Sequence, residues 1–143
     1  MTNAGSISAL NRRVILILLA VFGICFGLLL FLFNPSQYSF FPICIFHQVT
    51  GLHCPGCGAQ RALHSLFHGQ LLLALHYNPL FIIALPFLLL AGGRWIWQFA
   101  SGRELPPILV RPLYIKIIAG VVIGFAVIRN IPVAPFTWLA PPG

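Results

Sequence analysis

Acidic residues are almost missing from this 143-residue chain: Glu104 is its single carboxylate side chain, and aspartate does not occur. That absence removes the parts needed for paired-carboxylate hydrolysis, aspartate-dependent proteolysis, EF-hand calcium binding and two-metal phosphoryl transfer. Charge of either sign is scarce, at 6% of residues, where soluble domains carry about a quarter. The chain is instead 59% hydrophobic, with a mean hydropathy of +0.98. This composition predicts an integral membrane protein, a single membrane domain over residues 1–143, with any chemistry left to Cys, His, Arg, Lys and hydroxyl groups.

The formal charge of +7 does not indicate nucleic acid, because the basic residues sit singly or in pairs at the ends of apolar runs. They report topology in a lipid bilayer. Val14 to Phe33 is an unbroken run of 20 uncharged residues, about 30 Å long as a helix. A secretory signal peptide would present a shorter apolar region ending at small residues, which Phe31-Leu32-Phe33-Asn34-Pro35 does not. A second span is expected over residues 79–93, with Asn78 as its cap, Pro79 at its first position and a kink at Pro86. A third is expected over residues 113–128, after Pro112. Arg12, Arg13, Arg94, Arg103, Arg111 and Lys116 then lie inside, and Arg61 and Arg129 outside. The positive-inside bias puts the N-terminus in the cytoplasm and the long loop after the first span outside.

Residues 34–58, rich in Pro, Gly and aromatics, predict an irregular external loop. Residues 59–77 predict an amphipathic helix carrying Arg61, His64, Ser65, His68 and His76 on one side and broken or bent near Gly69. Its charged face makes a clean crossing costly, so it belongs along, or re-entrant into, the outer interface. The expected fold is therefore an all-α integral membrane protein with three transmembrane helices plus one interfacial or re-entrant amphipathic helix. Gly23-x-x-x-Gly27 and Gly120-x-x-x-Gly124 lie at matching depths and predict close parallel packing of the first and third spans, with lipid or a homodimer contact as the alternatives. Cys25, in mid-span, reads as a small packing residue.

Chemistry concentrates in Thr50-Gly51-Leu52-His53-Cys54-Pro55-Gly56-Cys57-Gly58-Ala59-Gln60-Arg61. Cysteines separated by Pro-Gly can close a disulfide, supply half of a metal site, or act as thiols at the start of a helix. At these residues the chain resembles a family of small bacterial membrane proteins catalogued as domain of unknown function 2752. The likeness runs from about Pro42 to Leu80: Cys44, the Thr50-Gly51 pair, Cys54-Pro55-Gly56-Cys57-Gly58, Arg61, Gly69 and Asn78-Pro79. Arg129-Asn130-Ile131-Pro132 is a weaker echo, and Gln60 departs from the hydroxyl residue expected before the arginine. The resemblance implies a site without naming a reaction, and a bacterial cytoplasmic membrane as its location.

Four readings of that site stay open. Cys54 and Cys57 with Arg61 could perform thiol–disulfide exchange, with Cys44 as a third partner, although no thioredoxin-like pattern surrounds them. Cys44, His47, Cys54 and Cys57 could hold zinc, with His53, His64 or His68 as substitute ligands. Backbone amides and Arg61 could grip an anion or a lipid headgroup. A disulfide could simply staple the external loop of an envelope assembly or scaffold component. Whether the chain is an enzyme is open at this level.

Overall fold

The computed structural model describes residues 3–38, 40–103, 106, 112–134 and 136–139, with side chains described from residue 10 onward. Expectations that fall on Glu104 or Arg111 lie outside the described residues. Six α-helices follow one another: α1 (Asn3–Leu32), α2 (Ile45–Thr50), α3 (Ala59–Phe67), α4 (Leu71–Tyr77), α5 (Pro79–Ser101) and α6 (Pro112–Ile128), then a short 3-10 turn at Phe136–Leu139. No strand occurs among the described residues.

Two helices, not three, combine the length and apolarity needed to cross a bilayer: Leu10–Leu32 within α1, and α5. α6 is apolar but has 17 residues, about 26 Å of rise, the lower limit of a span. Along α1 and α5 large apolar side chains such as Leu18, Phe22, Phe87 and Leu90 stand exposed instead of filling a core. The two helices run antiparallel. Arg12 of α1 lies over the Phe99 ring near the end of α5, while Leu30, at the far end of α1, meets α3.

α5 continues through Pro86 and eight residues past the expected end, to a Gly102 cap with φ of 68°. Residues 59–77 form two helices, so that of the break or bend expected at Gly69 the structure has the break. The backbone amide of Gln70 bonds to Ser65 O and that of Gly69 to Leu66 O, with Gly69 at φ 73°. This left-handed closure ends α3 completely and lets α4 fold back against it. The loop expected to be irregular contains α2. Its end uses the Thr50-Gly51 pair: the Thr50 hydroxyl donates to Phe46 O and accepts from the Leu52 amide, and Gly51 adopts φ 72°.

The expected packing of the first and third spans is not found. A Cβ placed on Gly23, Gly27, Gly120 or Gly124 meets nothing within 4 Å. Buried side chains collect instead at one end of the helices. Leu30, Phe41, Cys57, Ala62, Ser65, Ala74, Asn78 and Arg129 are all buried there, around the cysteine loop.

Candidate metal centre

The Cys54-Pro55-Gly56-Cys57 stretch closes as a tight turn, with the Cys57 amide donating to Cys54 O at 3.1 Å. Proline supplies the fixed φ that such a turn needs at its second position. A second turn overlaps it, the Ala59 amide donating to Gly56 O, and Gly58 at φ 82° then caps α3. Two overlapping turns point both cysteine side chains to the same side. Cys44, immediately before α2, reaches the same place: its Sγ lies 3.2 Å from Cys54 Sγ, which lies 3.2 Å from Cys57 Sγ. All three sulfurs fall within 4.8 Å of one another, and all three are free thiols.

The loop is held from behind by three polar side chains that flank the helices, Asn78 just before α5 and Arg129 and Asn130 just after α6. Arg129, which is 1% exposed, donates to Cys54 O at 3.0 Å and to Cys57 O through both terminal nitrogens at 3.3 Å, and reaches Pro55 O at 3.5 Å. The Phe125 ring covers its guanidinium. Asn130 pairs with the backbone of His53, accepting from its amide at 2.8 Å and donating to its carbonyl at 2.9 Å. Asn78, fully buried, donates to Pro55 O and Cys57 O while its side-chain oxygen caps α5 by accepting from the Phe81 amide. One asparagine thus starts a helix and seats the thiol loop. Asn78→Ala should lose about 2 kcal/mol of stability, the sum of a cap and a buried hydrogen-bonding group. Asn78→Ser, which can still cap, should lose less, and thermal unfolding in detergent measures both.

Burial and hydrogen bonding treat the thiols unequally. Burial, reinforced by the neighbouring thiols Cys54 and Cys44, pushes Cys57 up to about 12. Burial also acts to raise Cys44, but the backbone amide of His47 and the contacts with Cys54 and Cys57 outweigh it and bring that thiol below its ordinary value. Burial holds the Arg129 guanidinium below its usual range, and negative charge on Cys57, Cys54 and Cys44 opposes that shift. The described residues contain no carboxylate side chain. Among the described residues, sulfur, once ionised, is the anion that can face this buried cation.

The histidines fall outside the sulfur cluster. His47 Nδ1 lies 3.2 Å from Leu52 O, and its ring stacks on His53 at 4.4 Å. Burial, then His47 and Arg129, hold His53 below its usual range, which favours its neutral form. His64 Nδ1 sits 2.6 Å from Leu30 O and the His68 ring stacks on Phe31, so this pair ties α3 to the end of α1. His76 packs against Trp138. Arg61, one turn into α3, lines an open cleft of about 650 Å³ together with Cys44, Cys54 and Cys57; Tyr38, Phe41, Pro42 and Ile43 form another part of its wall.

Among the candidates read from sequence, the three cysteines come together, and Arg61, His47 and His53 share their cleft, while His64 and His68 do not line it. In the sequence Arg129 and Asn130 mark the end of a span, and Asn78 is a helix cap that also belongs to the family motif. Their hold on the thiol loop has no local signal beyond the family motif at Asn78-Pro79 and the echo at Arg129-Asn130. Residues 44–92 match the model of a family described as Protein of unknown function (DUF2752), the family that the motif resembles. That stretch contains the three cysteines, Arg61 and Asn78 but ends before Arg129. No curated protein and no solved structure matches the chain.

Proposed function

We propose that this chain is a multi-pass protein of the bacterial cytoplasmic membrane whose external loop is fastened by a metal–thiolate centre on Cys44, Cys54 and Cys57, with zinc as the metal. In this reading α1, α5 and α6 all cross the bilayer, the N-terminus is cytoplasmic, and the cysteine loop lies at the outer surface, consistent with the distribution of arginine and lysine. The glycine patches Gly23/Gly27 and Gly120/Gly124, open within the chain, are left for lipid or for a second copy.

The observation that carries the metal is the pairing of three converging thiols with a buried arginine. Arg129 leaves its Nε without an acceptor and has no carboxylate facing it among the described residues. Burying an uncompensated cation costs several kcal/mol. Three thiolates, a divalent cation and Arg129 are together electrically neutral, so metal loading satisfies both the sulfurs and the guanidinium. Thiolate donors select zinc over magnesium or calcium. The overlapping turns of Cys54-Pro55-Gly56-Cys57-Gly58 also suit a zinc knuckle, in which backbone amides face the sulfurs.

Native mass spectrometry of the protein purified without chelator should show one zinc per chain. Removal of the metal should expose three alkylatable thiols, Cys44 reacting first and the buried Cys57 last. Protein that carries no metal as isolated, takes none up after reduction, and contains a Cys54–Cys57 or Cys44–Cys54 disulfide would instead favour the second reading, thiol–disulfide exchange. One specific feature supports that alternative. Cys54 is equally close to both other sulfurs, as a shared partner in exchange has to be.

A further inference from the structure

The cluster of Cys44, Cys54 and Cys57 offers three protein ligands and a fourth side that faces a cleft. Tetrahedral zinc asks for four donors at about 2.3 Å for sulfur, and sites closed by four protein ligands are structural while sites with three keep a position for an outside ligand. Among the described residues no imidazole or carboxylate joins the three sulfurs. His47 and His53 line the same cleft, but His47 has its Nδ1 turned to Leu52 O and the two rings stack on each other. The backbone side of the triad is taken up by Arg129, Asn78 and Asn130. The remaining side is the cleft of about 650 Å³, large enough for a small organic molecule, which all three cysteines line.

We infer that the fourth position of the Cys44–Cys54–Cys57 centre opens to this cleft and is filled by an exogenous thiolate whose apolar body lies on Phe41, Pro42 and Ile43. This rests on the metal reading above and goes beyond it, making the centre a ligand-binding site and not only a staple. Two features select the ligand class. A metal already held by three soft thiolates favours a fourth soft donor. Adding a fourth thiolate to a neutral assembly brings one more negative charge, and Arg61 on the cleft wall supplies the matching positive one. On coordination the thiol gives up its proton to solvent and its sulfur displaces a solvent molecule from the fourth position, and no electron is transferred.

Cobalt(II) in place of zinc makes the coordination visible. The reduced, metal-free full chain in detergent is loaded with cobalt and titrated with propanethiol. The sulfur-to-cobalt absorption should rise by about one third as three thiolates become four. The rise should saturate, and Arg61→Gln should shift the midpoint to roughly tenfold higher thiol. Acetate should leave the spectrum unchanged, and His47→Ala and His53→Ala should respond like the parent. Cobalt that binds tetrahedrally but ignores propanethiol overturns the open position and leaves the metal reading standing. A response confined to His47→Ala or His53→Ala overturns it too, since an imidazole then fills the position. Equal responses to acetate and thiol overturn the choice of thiolate. Failure to bind cobalt, or binding that survives Cys54→Ser unchanged, overturns the metal reading and this inference together.

Discussion

Replacing any one of Cys44, Cys54 or Cys57 by serine should lower metal affinity by at least about 100-fold, because each thiolate lost removes a large share of the binding free energy of a thiolate site. The three single variants should look alike, and Cys54→Ser combined with Cys57→Ser should be little worse than either alone. Residues that act as one coordination sphere are strongly non-additive. Competition for zinc against a chromophoric chelator measures the affinity. Graded, additive losses would argue that the sulfurs have separate roles. Cys25 serves as the control: it lies exposed on α1 and apart from the cluster, so Cys25→Ser should leave affinity unchanged.

Arg129→Met should be the most destabilising single change outside the cysteines, by about 3 kcal/mol or more. It removes charge-assisted donors from Cys54 O and Cys57 O, each typically worth about 1.5–3 kcal/mol, and puts a flexible apolar chain into a polar pocket. Lysine cannot stand in, since a single ammonium cannot span carbonyls that a planar fork bridges. Arg129→Lys should therefore recover less than half of the loss. The damage has a floor. Asn78 also donates to Pro55 O and Cys57 O, and the Cys57 amide donates to Cys54 O, so every one of these carbonyls keeps a partner. That redundancy predicts a double variant, Arg129→Met with Asn78→Ala, worse than the sum of its parts, because only then are Pro55 O and Cys57 O both stripped. Thermal unfolding in detergent and the rate of Cys57 alkylation follow the two effects together. Simple additivity would mean that the two side chains do not share the loop.

Some of this was legible in the residues. The run after Arg13 and the Asn78-Pro79 start of α5 follow from hydrophobic length and local capping, which depend on neighbours in sequence alone. The Asn78 cap appears as expected. So does a break at Gly69, because a glycine flanked by helix-forming residues offers the one left-handed position there. That the chain breaks there and does not merely bend was not legible, since how far it turns after a left-handed residue is decided by what the next helix packs against. α2 was not legible. Six residues carry too short a period to register, and what ends the helix is a side-chain-to-backbone pair at Thr50 and Leu52.

The cysteine spacing and the scarcity of carboxylates were enough to say where chemistry could occur and which kinds it could not be. Spacing constrains local turns, and composition constrains which donors exist at all. The tertiary structure alone decided that Cys44 joins Cys54 and Cys57 while His47, His53, His64 and His68 turn to carbonyls, rings and backbone partners. It alone decided, too, that the arginine behind the loop is Arg129, 75 residues from Cys54. Contacts across such separations cost loop-closure entropy that no local pattern records. They form here because the start of α5 and the end of α6 meet where the thiol turn presents its carbonyls, and a buried carbonyl must find a donor.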